Sequence, residues 1–321
     1  MRRAALIYNP ASGQQPERRI GLIADVLAVF RGAGIEVKVI PTESPESAGR
    51  QAQEAVRDGY DTVLACGGDG TAHEVMQSLV GGSAALGVIP MGTANALATD
   101  LGLPRSPVKA AKMLLTAMPT RVSVGRVWFR DNADKERSRY FVVAAGVGVD
   151  GVFFSKLDSR LKQKLGYLLY LLEALRLGAT HTFPLFRAFF FQAGNETPRS
   201  EKASQILAVR ISNFGGLVHN LAPGAALGND NLHVIAFKTR NRLLYLRFMV
   251  AVWFRRHRYS NTIELVDCSA VECRDIEGAK ERSFVEADGE LLGRLPVRIE
   301  VVPQSLTLLV PQKPKRRTSF V

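Results

Sequence analysis

The order of apolar and polar positions divides the chain into two stretches of different rhythm. From Ala4 to Leu101, short apolar runs alternate with segments of helical period. Ala4–Tyr8, Ile35–Ile40, Asp61–Cys66 and Ala85–Ile89 read as strands. Glu17–Phe30 reads as a helix with Ile20, Ile23, Leu27 and Phe30 on one face. Ser47–Asp58, with Ser47 as its cap, Thr71–Leu79 and Ala94–Leu101 also read as helices. Strands and helices alternating at this spacing predict a parallel sheet with right-handed crossovers. Apolar runs such as Thr62–Cys66 fit strands covered on both faces.

The rhythm changes near Arg121. Strand signals then dominate: Val122–Phe129, Arg139–Val149, Phe183–Gln192, Gln205–Ser212, Leu232–Phe237, Thr262–Val266, Ala270–Cys273, Ser283–Ala287, Val297–Val302 and Ser305–Val310. Only Arg160–Arg176 and Arg240–Arg256 carry a helical period. Many short strands separated by turn residues predict an antiparallel, sandwich-like unit. The expected organisation is an α/β domain at residues 1–122, a β-rich domain at 123–312 and a basic tail at 313–321, with a cleft between the two domains.

Composition narrows the function. With 321 residues and 46% hydrophobic content, the chain can bury a real core in each unit. A net charge of +12 attracts polyanions: nucleic acid, anionic lipid or nucleotide. The arginines are scattered rather than striped or interleaved with stacking aromatics, so no nucleic-acid partner is expected. Lys313-Pro314-Lys315-Arg316-Arg317 reads as a solvated end. Three cysteines, Cys66, Cys268 and Cys273, with no Cys-x-x-Cys, fit a reducing, cytoplasmic compartment, and Cys66 reads as a buried small residue. The apolar stretch after Arg3 stops at Tyr8, too short for an export signal. Leu243–Phe254, interrupted by Arg247, is too short to cross a hydrocarbon core of about 30 Å.

The chemistry concentrates at three strand-to-helix junctions: Asn9-Pro10-Ala11-Ser12-Gly13, Gly67-Gly68-Asp69-Gly70-Thr71 and Met91-Gly92-Thr93-Ala94-Asn95. In an open parallel sheet these loops share one edge, where ligands bind. Glycines at 67, 68 and 70 let the backbone bring N–H groups close to an anion, and the helix that follows adds its positive end. Thr71 can donate a hydroxyl to phosphate. Asp69 would repel phosphate unless it faces a magnesium ion or takes a proton from an attacking hydroxyl. An ordinary glycine turn with a capping Asp explains the pentapeptide equally well on its own. No Gly-Lys-Ser/Thr follows and no Gly-x-Gly-x-x-Gly is present, so neither a Walker A loop nor a dinucleotide fingerprint applies.

Together these loops, with Glu74-Val75 and Pro90, resemble the catalytic family of the diacylglycerol kinases, which includes bacterial lipid kinases and sphingosine and ceramide kinases. The resemblance continues through Gly146-Val147-Gly148-Val149-Asp150, Lys164-Leu165-Gly166-Tyr167, Asn213-Phe214-Gly215-Gly216 and Asp288-Gly289-Glu290. It implies a doubly wound nucleotide-binding domain followed by a β-rich domain, with ATP in the cleft between them. Carried over by position, Asn9, Thr42, Gly67, Gly68, Asp69, Gly70, Thr71, Glu74, Gly92, Thr93 and Asn95 would line ATP. Asp288 or Glu290, with Asp69 across the cleft, would act as general base on a lipid hydroxyl. Asp230, with the carbonyls of Leu227 and Leu232, would hold a structural Mg2+. Read without the resemblance, Asp288-Gly289 is a hairpin turn and Asn229-Asp230-Asn231 an ordinary turn.

Three positions depart from the family pattern. Ser123 stands where many relatives carry an acid. Ala96 follows Asn95 where Asp is frequent in bacterial members, a local likeness to the sphingoid-base kinases. Asn231 replaces a usual Gly.

The acceptor implied is a membrane lipid: diacylglycerol, a sphingoid base or a related lipid alcohol. Leu165–Leu177 and Leu243–Phe254 are apolar, flanked by Lys and Arg, and carry Tyr167, Tyr170, Trp253 and Phe254. They suit peripheral docking on the anionic inner face of a membrane, or equally helices packed on the β-rich domain. An oligomer, such as a dimer, is compatible with the sequence. The competing readings are a small-molecule kinase of NAD type, which shares the Gly-Gly-Asp-Gly-Thr loop, and a non-enzymatic nucleotide- or lipid-binding protein.

Overall fold

A computed structural model describes residues 1–10, 16–44, 46–131, 133–148, 183–214, 220–257, 259–277 and 283–312. The expected helix Arg160–Arg176, the apolar segment Leu165–Leu177 and the basic tail lie outside the described residues. So do Ala11–Gly13, Val149-Asp150, Lys164–Tyr167 and Gly215-Gly216 of the motifs.

The alternation read from the first hundred residues forms: β1 (Arg3–Tyr8), α1 (Pro16–Gly32), β2 (Glu36–Pro41), α2 (Ser47–Arg57), β3 (Thr62–Gly67), α3 (Asp69–Leu79), β4 (Ala85–Pro90) and α4 (Ala96–Asp100). The four strands are parallel, in spatial order β4-β3-β1-β2. All six residues of β3 and all six of β4 are buried. This is what their apolar sequences require once helices pack over the sheet. Leu6, Leu64, Leu86, Met76 and Phe30 share that core.

Two local details differ from expectation. A helix at α5 (Pro107–Leu114) follows Ser106, whose hydroxyl accepts the Lys109 N–H, and Pro107 sits in the first turn, where no donor is needed. Ser47 does not cap α2. Its hydroxyl instead donates to the Ser44 carbonyl and accepts the Glu43 N–H. The free Ala48 N–H at that helix start goes to Oε2 of Glu74 on α3, 3.3 Å away.

The remaining elements are β5 (Met118–Arg130), β6 (Glu136–Phe141), β7 (Ala144–Gly148), β8 (Phe186–Phe191), β9 (Arg199–Ala203), β10 (Gln205–Val209), β11 (Leu232–Phe237), α6 (Arg242–Trp253), β12 (Ile263–Cys268), β13 (Ala270–Asp275), β14 (Phe284–Ala287) and β15 (Glu290–Val310). Their mutual pairings are antiparallel, and a second core gathers Phe141, Phe186, Phe190, Ile206, Val271 and Ile299. The expected strand Arg139–Val149 is broken in two. At the break, the N–H groups of Val142, Val143 and Ala144 turn to the Asp288 carboxylate. The two expected strands 297–302 and 305–310 are one strand, β15, whose register with β5 shifts between Val302 and Leu306. Among the described residues, charged β9 pairs only with β8, as suits an edge strand.

β15 joins the two units. Thr307 and Leu308 run parallel to Ala85 and Leu86 of β4, and Leu306, Leu308 and Leu309 complete the core begun by residues 4–122. The last strand of the chain therefore buries itself in the first sheet. It also carries, at its other end, the hairpin that begins at Asp288.

Candidate active site

Parallel pairing sets the strand ends level. Tyr8 lies opposite Pro41 and Cys66, and Gly67 opposite Pro90. The loops that leave these strands therefore stand side by side at the ligand-binding edge. Thr42 donates its N–H to the Tyr8 carbonyl at 2.8 Å, and Met91 to the Gly67 carbonyl at 2.8 Å. Asn9 follows Tyr8 at the same edge. Cys66 is buried beneath it, and burial pushes its thiol up to about 12, so it is no nucleophile.

The two glycine loops pack backbone against backbone. A Cβ on Gly92 would lie 2.5 Å from the Gly68 Cα, and one on Gly67 would lie 2.6 Å from the Thr71 hydroxyl. Gly70 has open space around it. Asn95, in the left-handed region at φ 50°, clamps its own loop. Its Oδ1 accepts the Gly92 N–H at 2.9 Å and its Nδ2 donates to the Gly92 carbonyl at 2.7 Å. Asn95 is thus buried, while Thr93 stands exposed at the loop tip.

Asp69 opens α3 just beyond Gly68. Burial raises its pKa. The N–H groups of Ala96, Asn95 and Leu97 at the start of α4 oppose that shift, and repulsion from Asp288 adds to it. Asp288 comes from the far end of the chain. It and Gly289 form the two-residue turn between β14 and β15, both at positive φ (47° and 84°). The hairpin reading and the site reading of Asp288-Gly289 are therefore compatible: the turn aims the carboxylate inward. Its Oδ1 accepts from Val143 at 2.9 Å and Ala144 at 3.1 Å, and its Oδ2 from Val142 at 3.0 Å. Burial raises its pKa, and His73 is the largest opposing influence.

His73 stands four residues after Asp69, on the same face of α3. Its Nε2 is 2.8 Å from the Tyr140 carbonyl, which can only accept, so Nε2 carries the proton. Its Nδ1 lies 3.9 Å from the Asp288 Oδ2. Beside this buried group is a wetter one. Glu290 pairs with Arg139 at 2.6 Å. Glu74 is pushed up chiefly by burial, held down by the N–H groups of Ala48 and Glu46, repelled by Glu290 and attracted by Arg139.

The fold thus gathers Asp69, Glu74, Asp288 and Glu290 around His73 and Arg139. Neither His73 nor Arg139 was singled out by the sequence reading. Helical spacing from Asp69 could have pointed to His73, whereas nothing local marks Arg139, which enters only through the pairing of β6.

Leu227 and Asp230 belong to a second assembly, away from these groups. Ser123 donates its hydroxyl to Asp230, and the buried Arg210 guanidinium donates to the carbonyls around it. Leu232 starts β11 opposite Cys268. Among the described residues, no three His, Cys, Asp or Glu side chains are grouped to hold a metal ion.

The model of the diacylglycerol kinase catalytic domain matches residues 3–127, and that of the YegS C-terminal NAD kinase β-sandwich-like domain matches residues 142–310. The chain belongs to the diacylglycerol kinase catalytic family. As a member of it, the chain is an ATP-dependent lipid kinase. A diacylglycerol kinase of Bacillus subtilis (strain 168) is 28% identical over 316 residues, covering 98% of each chain. A solved diacylglycerol kinase of Bacillus anthracis str. Sterne superposes with a TM-score of 0.69 at 18% identity over 96% of each chain, which shows the shared fold. A yeast NADH kinase solved with NADH has a TM-score of 0.51 at 10% identity, covering 98% of this chain and 84% of its own. The NAD-kinase likeness of this lipid kinase is therefore one of fold.

The glycine geometry makes a testable distinction. In nucleotide-free protein, Gly92→Ala should lose about 1–3 kcal/mol by overpacking the two loops. Gly70→Ala should stay within about 0.5 kcal/mol of wild type. Urea unfolding measures both, and equal losses would contradict the packing described.

Proposed function

We propose that this kinase phosphorylates diacylglycerol at the surface of an anionic membrane, with Asp288 as general base. The observation that carries this is the state of the Asp288 carboxylate. Three backbone N–H groups fix its orientation, yet they leave Oδ2 one acceptor position on the side that faces α3. A base so held is pre-positioned, and burial brings its pKa toward working pH. Glu290 is engaged with Arg139 and its side chain is 40% exposed, which suits orienting a substrate better than removing a proton.

ATP phosphates sit over Gly67–Thr71 and Gly92–Thr93, where loop N–H groups and the start of α3 favour negative charge. Asn9 and Thr42 line the same edge. Asp69 fits a magnesium ion brought with ATP: it is a buried carboxylate, a hard oxygen donor, and a cation there would offset its repulsion from Asp288. Asp69 would hold it, and the ion supplies charge neutralisation at the phosphate oxygens. Asp288 takes the proton of the lipid hydroxyl as its oxygen bonds to the γ-phosphorus. The bond from that phosphorus to the β,γ-bridging oxygen breaks, and ADP leaves.

Access to lipid is supported by α6. Tyr245, Phe248 and Val252 pack inward with Phe237 and Ile235, while Leu243, Val250 and Phe254 on the outer side are 73%, 41% and 69% exposed. Exposed Arg247, Arg255 and Arg256 accompany them. The helix serves both readings of the sequence, core on one side and apolar-basic strip on the other. Among the described residues, no helix is long and apolar enough to cross a membrane. A peripheral position at the inner, cytoplasmic face follows from this reading. Acceptor choice rests on the relatives: the Bacillus subtilis protein that matches end to end is a diacylglycerol kinase.

With γ-labelled ATP, label should pass to diacylglycerol at least about 10-fold faster than to a sphingoid base, ceramide or NAD, a difference of about 1.4 kcal/mol in barrier. Faster transfer to NAD, or no lipid product from a total lipid extract, would overturn the reading. In vesicle sedimentation, Leu243→Glu with Val250→Glu should cut binding to anionic vesicles about 10-fold without changing turnover of a short-chain soluble acceptor. Unchanged vesicle binding would remove α6 from the interface.

A further inference from the structure

The family resemblance assigns a structural divalent cation to Asp230 and the carbonyls of Leu227 and Leu232; of these, the structure brings the Arg210 guanidinium to the Leu227 carbonyl and into the field of Asp230. Arg210 is the largest fully buried side chain of the described residues. Its Nη2 donates to the carbonyls of Ser123 at 2.9 Å and Asn229 at 2.7 Å, and at 3.5 Å to that of Leu227. Its Nη1 donates to the Asn231 carbonyl at 2.5 Å. Asp230 supplies the balancing negative charge and accepts the Ser123 hydroxyl.

We propose that the Arg210 guanidinium takes the place of that metal ion, so that this enzyme folds without a structural Mg2+. The donor chemistry is that of a cation site: backbone carbonyls and one carboxylate. The geometry is wrong for magnesium. Mg2+ needs about six oxygens converging at about 2.0–2.1 Å. Here the oxygens fan around a planar group at 2.5–3.5 Å, and the guanidinium fills the space between them. Burial lowers Arg210 to about 10 against the pull of Asp230, so it remains charged at neutral pH.

One departure of the sequence from the family pattern acquires a reason. Ser123 in place of an acid leaves Asp230, among the described residues, as the only carboxylate bonded into the assembly, and one guanidinium neutralises one carboxylate. Asn231 contributes its backbone carbonyl to Arg210, as a glycine would, so the structure gives no reason for that departure. The assembly ties β5, through Ser123, to the segment before β11. Ser123 also accepts the Gln304 N–H at 3.0 Å, which brings in β15. The Arg210 N–H bonds the carbonyl of Val143, whose own N–H is held by Asp288. The cation substitute is thus two hydrogen bonds from the proposed base.

The test is done on nucleotide-free, full-length protein, so that Mg2+ bound with ATP plays no part. Wild type should show the same melting temperature, within about 1 °C, in EDTA and in millimolar Mg2+, and should carry less than one-tenth equivalent of divalent metal after dialysis. Arg210→Ala should melt at least several degrees lower and recover part of that loss in millimolar guanidinium or Mg2+. If Arg210→Ala does not fold, the wild-type measurements decide alone. One retained equivalent of Mg2+ in wild type that vanishes in Asp230→Asn, or a drop of 5 °C or more on adding EDTA to wild type, would overturn the proposal.

Discussion

The structure turns on one interaction, the grip of the Asp288 carboxylate on three consecutive backbone N–H groups, those of Val142, Val143 and Ala144. Those groups cannot also serve a strand, so the apolar run from Arg139 onward is split into β6 and β7. The split holds the turn of the last hairpin beside α3, facing His73 and Asp69. An aspartate in a tight turn would ordinarily point to solvent and be fully charged. Here backbone N–H groups compensate its burial, which is the general condition for keeping a carboxylate out of water. The same bonds that shape the backbone therefore fix the orientation of the proposed base, and they oppose the rise in pKa that its burial causes.

The last strand makes that grip possible. β15 is anchored at its far end in the first core by Leu306, Leu308 and Leu309, and at its near end it carries Asp288 and Glu290 to the glycine loops. A residue 220 positions from Gly68 reaches the site because one strand of 21 residues belongs to both units. Charge is handled differently on the two sides of the junction. Around Arg210 a buried guanidinium is ringed by carbonyls and balanced by Asp230. Around Asp69 and Asp288 like charges are left facing each other, a strained arrangement that suits a site meant to receive a cation along with its substrate.

Much of this was legible in the sequence because local rules governed it. The parallel βα alternation, the glycine loops and α6 follow from period, turn chemistry and apolar runs, and β3 and β4 are buried at every position, as their composition required. What was missed depended on distant partners. Ser47 is a cap residue by type, but Glu74 from another helix supplies an acceptor there. The break after Phe141 carries no Gly or Pro, because its cause is a carboxylate some 145 residues away. Arg139 and Arg210 each look like ordinary surface charges until pairing places one against Glu290 and buries the other among carbonyls. The motif residues could be named in advance, whereas the groups that hold them could not.

The most direct test of the central claim is the effect of Asp288→Asn on lipid phosphorylation as a function of pH, with ATP affinity measured separately. Because burial raises the Asp288 pKa, its ionised form is lost as pH falls through a value above the ordinary aspartate figure of about 3.9. Wild-type kcat/KM should therefore show an acid limb displaced upward from that figure. Asp288→Asn should lower kcat by at least about 100-fold while leaving the Kd for ATP within about 3-fold. A variant that keeps wild-type kcat, or a wild-type profile flat down to pH 4, would contradict the assignment of Asp288 as the base around which the site is built.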